Sequence, residues 1–239
     1  MLRFRAGFLH FISPLLSSRS NNTLNRSSTL HMDRYAKAHI DPQGPGDGRP
    51  TAEQVIRDQG LVGELKGKVV LITGGTAGLG TESARVLHMT GAKVFITARS
   101  AAKGKGTVKS INEAQPEHPP VEYIDMDMNS LTSVRAAADE FRRRSDKLNI
   151  LITNAGVMAC PEGRTKDGFE TQFGTNHLAH FLHFQLLKPT LLASSTAEFQ
   201  SRVISVSSAG HRRSGIFPDN YNMEGVYDPC EIKLRPYRA

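Results

Sequence analysis

The chain has little cysteine: Cys160 and Cys230 in 239 residues. Two thiols exclude a disulfide framework and supply no zinc pattern of paired cysteines and histidines. They point to a reducing compartment. No apolar run is long enough to span a bilayer, so no transmembrane segment is expected. No repeat of 20–50 residues is visible, which excludes solenoids and propellers. Acid is missing from residues 1–32, which carry Arg3, Arg5, Arg19 and Arg26. These account for more than half of the net charge of +7 and leave the rest of the chain near neutral. A basic end on a near-neutral body makes a poor nucleic-acid surface, and no nucleic-acid partner is expected.

Residues 1–31 are rich in Arg and Ser, the composition of a mitochondrial transit peptide. An unstructured extension, or an upstream start ahead of Met32, fits the same composition. A cytoplasmic location is expected, mitochondrial if residues 1–31 are a transit peptide. Residues 41–50, DPQGPGDGRP, read as a Gly/Pro linker. Residues 1–50 are therefore expected to be a basic, disordered extension plus linker. Residues 51–239 are expected to form one domain, the size a chain of this length can bury. Thr51, with Gln54 three residues on, predicts a capped short helix.

From Lys68 the pattern alternates. KVVLIT (68–73), AKVFITA (92–98), VEYIDM (121–126), LNILITN (148–154) and SRVISVSS (201–208) read as strands. The glycine loop to about His88, then 101–114, 130–144 and Phe169 to about Leu192 read as helices. In the third of these, Leu131, Val134, Ala138 and Phe141 share a face. Alternation of this kind predicts right-handed βαβ crossovers and a doubly wound parallel α/β sheet of Rossmann type, covered on both faces.

Gly74, Gly78 and Gly80 lie directly between a strand and a helix. The first permits a tight turn, the second lets backbone approach a pyrophosphate, and the third lets the helix pack closely. The helix N-terminus adds free N–H groups and its dipole. An NAD site usually offers an acid at the end of the second strand, ~20 residues past the glycines. Arg99 stands there, with Lys103 behind it. A guanidinium can grip a ribose 2′-phosphate, so NADP is the expected cofactor, the alternative being two cations that only solvate a helix start. Asp127 ends the third strand, where an acid can equally be a helix cap.

The spacing Thr73-Gly74-Gly75-Thr76-Ala77-Gly78-Leu79-Gly80 resembles the T-G-x-x-x-G-x-G of the short-chain dehydrogenase/reductase family. Three more motifs follow in the family's order: NAGVM at Asn154 and Gly156, FGTNHLAHFLHFQLL with Asn176, and RVISVSSAGHRRSG with Ser207-Ser208. Their wording is similar to the branch of retinol dehydrogenases and the WW-domain oxidoreductase. The resemblance implies NADP(H)-dependent interconversion of an alcohol and a carbonyl, on a small and lipophilic substrate. It implies cofactor contacts at Thr73, Gly74, Gly78, Leu79, Gly80, Arg99, Lys103, Asp127, Asn154 and Gly156. It implies that Ser208 binds the substrate oxygen and that Asn176 holds a relay water. The family's Tyr-x-x-x-Lys pair is missing after Ser208: Tyr221 is followed four residues on by Gly225, and Tyr227 by Glu231. Lys233 and Tyr237 have the spacing in reverse, with Pro236 between them. The likeness fades after Asp228. The sheet is therefore expected to be truncated after about its fifth strand, with RVISVSS as an exposed apolar edge. A non-catalytic NADP-binding or interaction protein is the alternative function. His177, His180 and His183 read as surface or packing residues of the long helix rather than metal ligands. Ser208 and His211 make no hydrolase elbow.

Overall fold

The computed structural model describes residues 34–208, 210, 218–225 and 227. The basic segment 1–31, His211, Cys230, Lys233, Pro236 and Tyr237 lie outside the described residues. Alternating short β-branched runs and amphipathic segments give β1 (Val69–Ile72), α2 (Gly78–His88), β2 (Lys93–Ala98), α3 (Ala101–Ala114), β3 (Glu122–Asp125), α4 (Leu131–Arg144), β4 (Ile150–Thr153), α5 (Ala179–Ala193) and β5 (Arg202–Ser205). A short α1 (Ala52–Asp58) precedes them. Polar caps set the helix starts. Thr51 accepts from Gln54 N at 3.1 Å, Ser100 from Lys103 N at 3.4 Å and Ser130 from Ser133 N at 3.3 Å.

All neighbouring strands are parallel, in the order β3-β2-β1-β4-β5. The order reverses between β1 and β4, and the crevice at the carboxyl ends of those strands is where such sheets bind ligands. One core layer joins Ile56 of α1, Leu87 of α2 and Ile111 of α3 to Val70, Ile72, Val94 and Ile152. The other joins Phe141 of α4 and Leu187 of α5 to Leu71, Phe95 and Leu151. There Phe95 and Phe141 meet edge to face at 5.2 Å.

The last strand pairs over four residues only. Beyond Ser205 a single bond, Val206 N to Thr153 O at 3.0 Å, continues the ladder. Its partner β4 ends at Thr153, and Asn154 N bonds instead to the Thr73 hydroxyl. The helix expected from Phe169 is not uniform: one turn, Thr171–Phe173, runs into a π-turn, Gly174–Leu178, and then into α5. Residues 41–50 form a turn closed on Asp47, whose carboxylate accepts from Gln43 N, Gly44 N and Arg49 Nε at 2.9, 3.0 and 2.7 Å. Among the described residues, no helix is long and apolar enough to cross a membrane.

Candidate functional site

The site is built around the turn that follows β1. Gly74 has φ +69°, and a Cβ there would come within 2.9 Å of Ala155 Cα. Gly78 has φ +54° and open space where its Cβ would be. A Cβ on Gly80 would lie 2.3 Å from Gly74 O and 2.7 Å from Asn154 Nδ2. The third glycine thus lets α2 close onto the loop backbone and the end of β4, rather than onto the strands themselves. No side chain caps α2, whose first turn carries no acid. Its first N–H groups and dipole face the crevice beside Gly78, with Leu79 half exposed at the rim.

Buried polar side chains hold this turn against β4. Thr73 is fully buried, and its hydroxyl accepts from Asn154 N and Ala155 N, both at 2.9 Å. Asn154 Nδ2 donates back to Thr73 O at 2.9 Å and Gly74 O at 3.3 Å. Thr97, on β2, accepts from Gly74 N at 3.2 Å. Across the crevice, Asn176 sits in the π-turn. Its amide grips the backbone of Val157 from both sides: Oδ1 accepts from Val157 N and Nδ2 donates to Val157 O, each at 2.8 Å. Gly156 is exposed beside it, and a Cβ there would lie 3.3 Å from Asn176 Oδ1. Single-turn π-bulges are frequent at functional sites.

Arg99 and Lys103 are both exposed at the end of β2 and the start of α3, and neither makes an ion pair among the described residues. Asp127 is engaged: its carboxylate takes Lys166 Nζ and Asn129 N, both at 3.0 Å. Burial opposes its charge, but Lys166, the Asn129 N–H and the nearby Arg99 outweigh it and hold the pKa below the ordinary value. The cap of α4 is Ser130, not Asp127. Ser208 is exposed past the end of β5, and its hydroxyl accepts from Gly210 N at 3.1 Å. Thr73, Gly74, Gly80, Asn154, Gly156 and Asn176 therefore share one network. Arg99, Lys103 and Asp127 stand to one side of it, and Ser208 beyond the end of β5.

Of the tyrosines near the end of the chain, Tyr221 packs on Phe173 with ring centroids 5.4 Å apart. Tyr227 donates to Cys160 O at 2.7 Å. Burial and the Cys160 thiol push its pKa up to about 12. The histidines diverge. His177 is exposed and stacks on Phe173. His183 is fully buried, with neither nitrogen bonded among the described residues. His180 is buried and bonded to Thr73, a role its spacing did not signal; a histidine on the core side of an otherwise apolar helix was the available clue. No group of three or more His, Cys, Asp or Glu is placed to hold a metal among the described residues.

The site fits a dinucleotide: an open glycine and an uncapped helix start border the crevice where the strand order reverses, and two exposed cations stand beside it at the end of β2. A family model described as short chain dehydrogenase matches residues 68–222. The oxidoreductase calI of Penicillium decumbens is 55% identical over 214 residues, which is 88% of this chain and 62% of that protein. Retinol dehydrogenase 12 of Mus musculus is 44% identical over 148 residues, 62% of this chain and 45% of that one. The chain thus spans less than two thirds of the length of these relatives. Among solved structures, the NADP active-site complex of Pseudomonas aeruginosa RhlG is 31% identical with a TM-score of 0.52, covering 62% of this chain and 57% of that one.

Proposed function

The chain belongs to the short-chain dehydrogenase/reductase family, close to its retinol dehydrogenase branch, and from that premise we propose that it binds NADP(H) at the carboxyl ends of β1, β2 and β4. The reading extends to the family's interconversion of alcohol and carbonyl on a lipophilic small molecule. The observation that carries it is the pair of exposed, unpaired cations, Arg99 and Lys103, where an NAD site would place an acid.

In this reading the N-terminus of α2 and the backbone at Gly74, Gly78 and Leu79 hold the pyrophosphate, and Arg99 grips the 2′-phosphate bidentately. Asp127, Asn154 and Gly156 border the adenosine. NADPH supplies a hydride when bound. Ser208 offers a hydroxyl to the substrate oxygen, and Asn176 carries the relay water. The proton itself needs a donor near its working pKa, worth about 10²–10⁴-fold in rate. No tyrosine in the 239 residues stands four before a lysine. That observation favours a second reading for these residues by themselves: NADP(H) binding without turnover.

The test is a fluorescence titration of the full 239-residue chain with NADPH and NADH. NADPH is expected to bind at least tenfold more tightly. Arg99→Ala is expected to cost about 10- to 100-fold in NADPH affinity, the range for a hydrogen bond to a charged group, and to leave NADH unchanged. Equal or tighter NADH binding would overturn the cofactor assignment. NADPH oxidation in the presence of a carbonyl would overturn the second reading.

A further inference from the structure

We propose that His180 is a positioning residue, which fixes the Thr73 hydroxyl and thereby locks the glycine loop to the Asn176 turn. Three groups surround Thr73 Oγ1. Asn154 N and Ala155 N, each at 2.9 Å, can only donate. Both oxygen lone pairs are then used, and the hydroxyl proton points to the third group, His180 Nε2 at 2.8 Å. That nitrogen must be bare, so the ring proton sits on Nδ1, which donates to Asn176 O at 2.9 Å. One tautomer satisfies every partner, and the reverse tautomer leaves two donors facing each other. Thr73 is fully buried and His180 nearly so, so water cannot repair a mismatch.

These bonds close a ring. It runs from Thr73 to His180, through the Asn176 backbone to its side chain, across to Val157, and back along Gly156 and Ala155 to Thr73. Gly74, which packs on Ala155, and Asn154, which holds Gly74 O, hang from the same ring. His180 is the member whose acceptor decides which way the others point. Burial and the neighbouring His177 outweigh its bond to Asn176 O and lower its pKa, which favours the neutral ring.

The effect on cofactor affinity rests on the NADP(H) reading above; the ring itself does not. Nitrogen-15 NMR of the full chain should find His180 bare at Nε2 and protonated at Nδ1, and a proton on Nε2 would overturn the proposal without any variant. Hydrogen exchange at the Asn154 and Ala155 amides should accelerate in His180→Phe, with NADPH affinity falling about tenfold. His180→Gln, whose Oε1 can accept the same proton, should recover most of both. Thr73→Val should show the same loss, Thr73→Ser should not, and Thr73→Val with His180→Phe should be no worse than either alone. Gln as damaging as Phe, additive losses in the double variant, or a His180→Phe chain that melts earlier while exchange at Asn154 and Ala155 is unchanged would each overturn it. If the parent chain binds no NADPH, the cofactor reading fails, and the tautomer and exchange results still decide the ring.

Discussion

Leu151 and Val203 are register partners on adjacent parallel strands and point to the same face of one sheet. Leu151 is fully buried, while Val203 is 44% exposed. The two central strands, β1 and β4, are buried along their whole length on both faces. In β5 only Ile204 is buried, and α5 exposes Phe181 at 55% and Leu192 at 66%. Pairing places a strand; a layer of helices on each face is what takes its side chains out of water. The first region has both layers. The second leaves Val203 of β5 and Phe181 and Leu192 of α5 exposed, with no such cover among the described residues.

The largest effect should come from breaking this comparison at its register pair. Leu151→Ala removes a side chain from a packed core and should cost about 2–5 kcal/mol. Val203→Ala, one strand away on the same face, should cost less than about 1 kcal/mol. Urea denaturation of both variants at low protein concentration checks the pair. Equal costs would mean that Val203 is covered in solution, and the comparison would fall.

Much of the first region can be read from residue order, because each element there carries a local signal. The β-branched runs mark the strands, and α3 occupies the span 101–114 that its pattern predicts. The clustering of Gly74 and Gly80 near Asn154 is legible because a glycine is required wherever backbone approaches this closely. The Thr73–His180 bond is not legible, since its partners lie 107 residues apart and leave no period behind. The Thr97 bond to Gly74 and the π-turn escaped for the same reason: both follow from packing between elements, not from spacing within one. The turn on Asp47 was hidden by a composition that resembles a linker, because Gly and Pro mark tight turns and loose chain alike.

A middle-sized effect should come from acid, and it separates the regions by pH. His183 lies in α5 with no partner for either nitrogen among the described residues. Burial, and secondarily His180, push its pKa down to about 3 from an ordinary value of 6.5. The unfolded chain therefore takes up a proton that the folded chain refuses. Stability is complete above about pH 6.5 and falls as the pH drops toward 3, with a steepest slope of about 1.4 kcal/mol per pH unit for one histidine. His180 and His88, also buried and also shifted down, add to the same limb. His183→Leu should flatten the limb in part and leave stability at pH 7 equal or higher, since it removes two buried, unpaired nitrogens. Urea melts between pH 4 and 8 would show an unchanged slope if His183 were instead exposed or bonded in solution.

The smallest effect should come from the ion pair that joins the two regions. Asp127 follows β3 in the first region, and Lys166 lies in the loop after β4, 3.0 Å away. Two backbone-anchored bonds accompany it: Lys166 N to Asn129 O at 3.0 Å and Leu131 N to Asp167 Oδ2 at 2.8 Å. The loop is therefore held in place without the ammonium. Lys166 is largely exposed, so water and salt screen its attraction to Asp127. The Asp127 pKa is lowered in the fold, so the pair contributes above the ordinary carboxylate range and its contribution disappears as the pH falls through that range. Lys166→Met keeps the chain length and should cost no more than about 1 kcal/mol at low salt and nothing measurable at about 1 M salt, where the Debye length is about 3 Å. A larger loss that salt does not reduce would mean that this pair, and not the backbone bonds beside it, fastens the open region to the closed one.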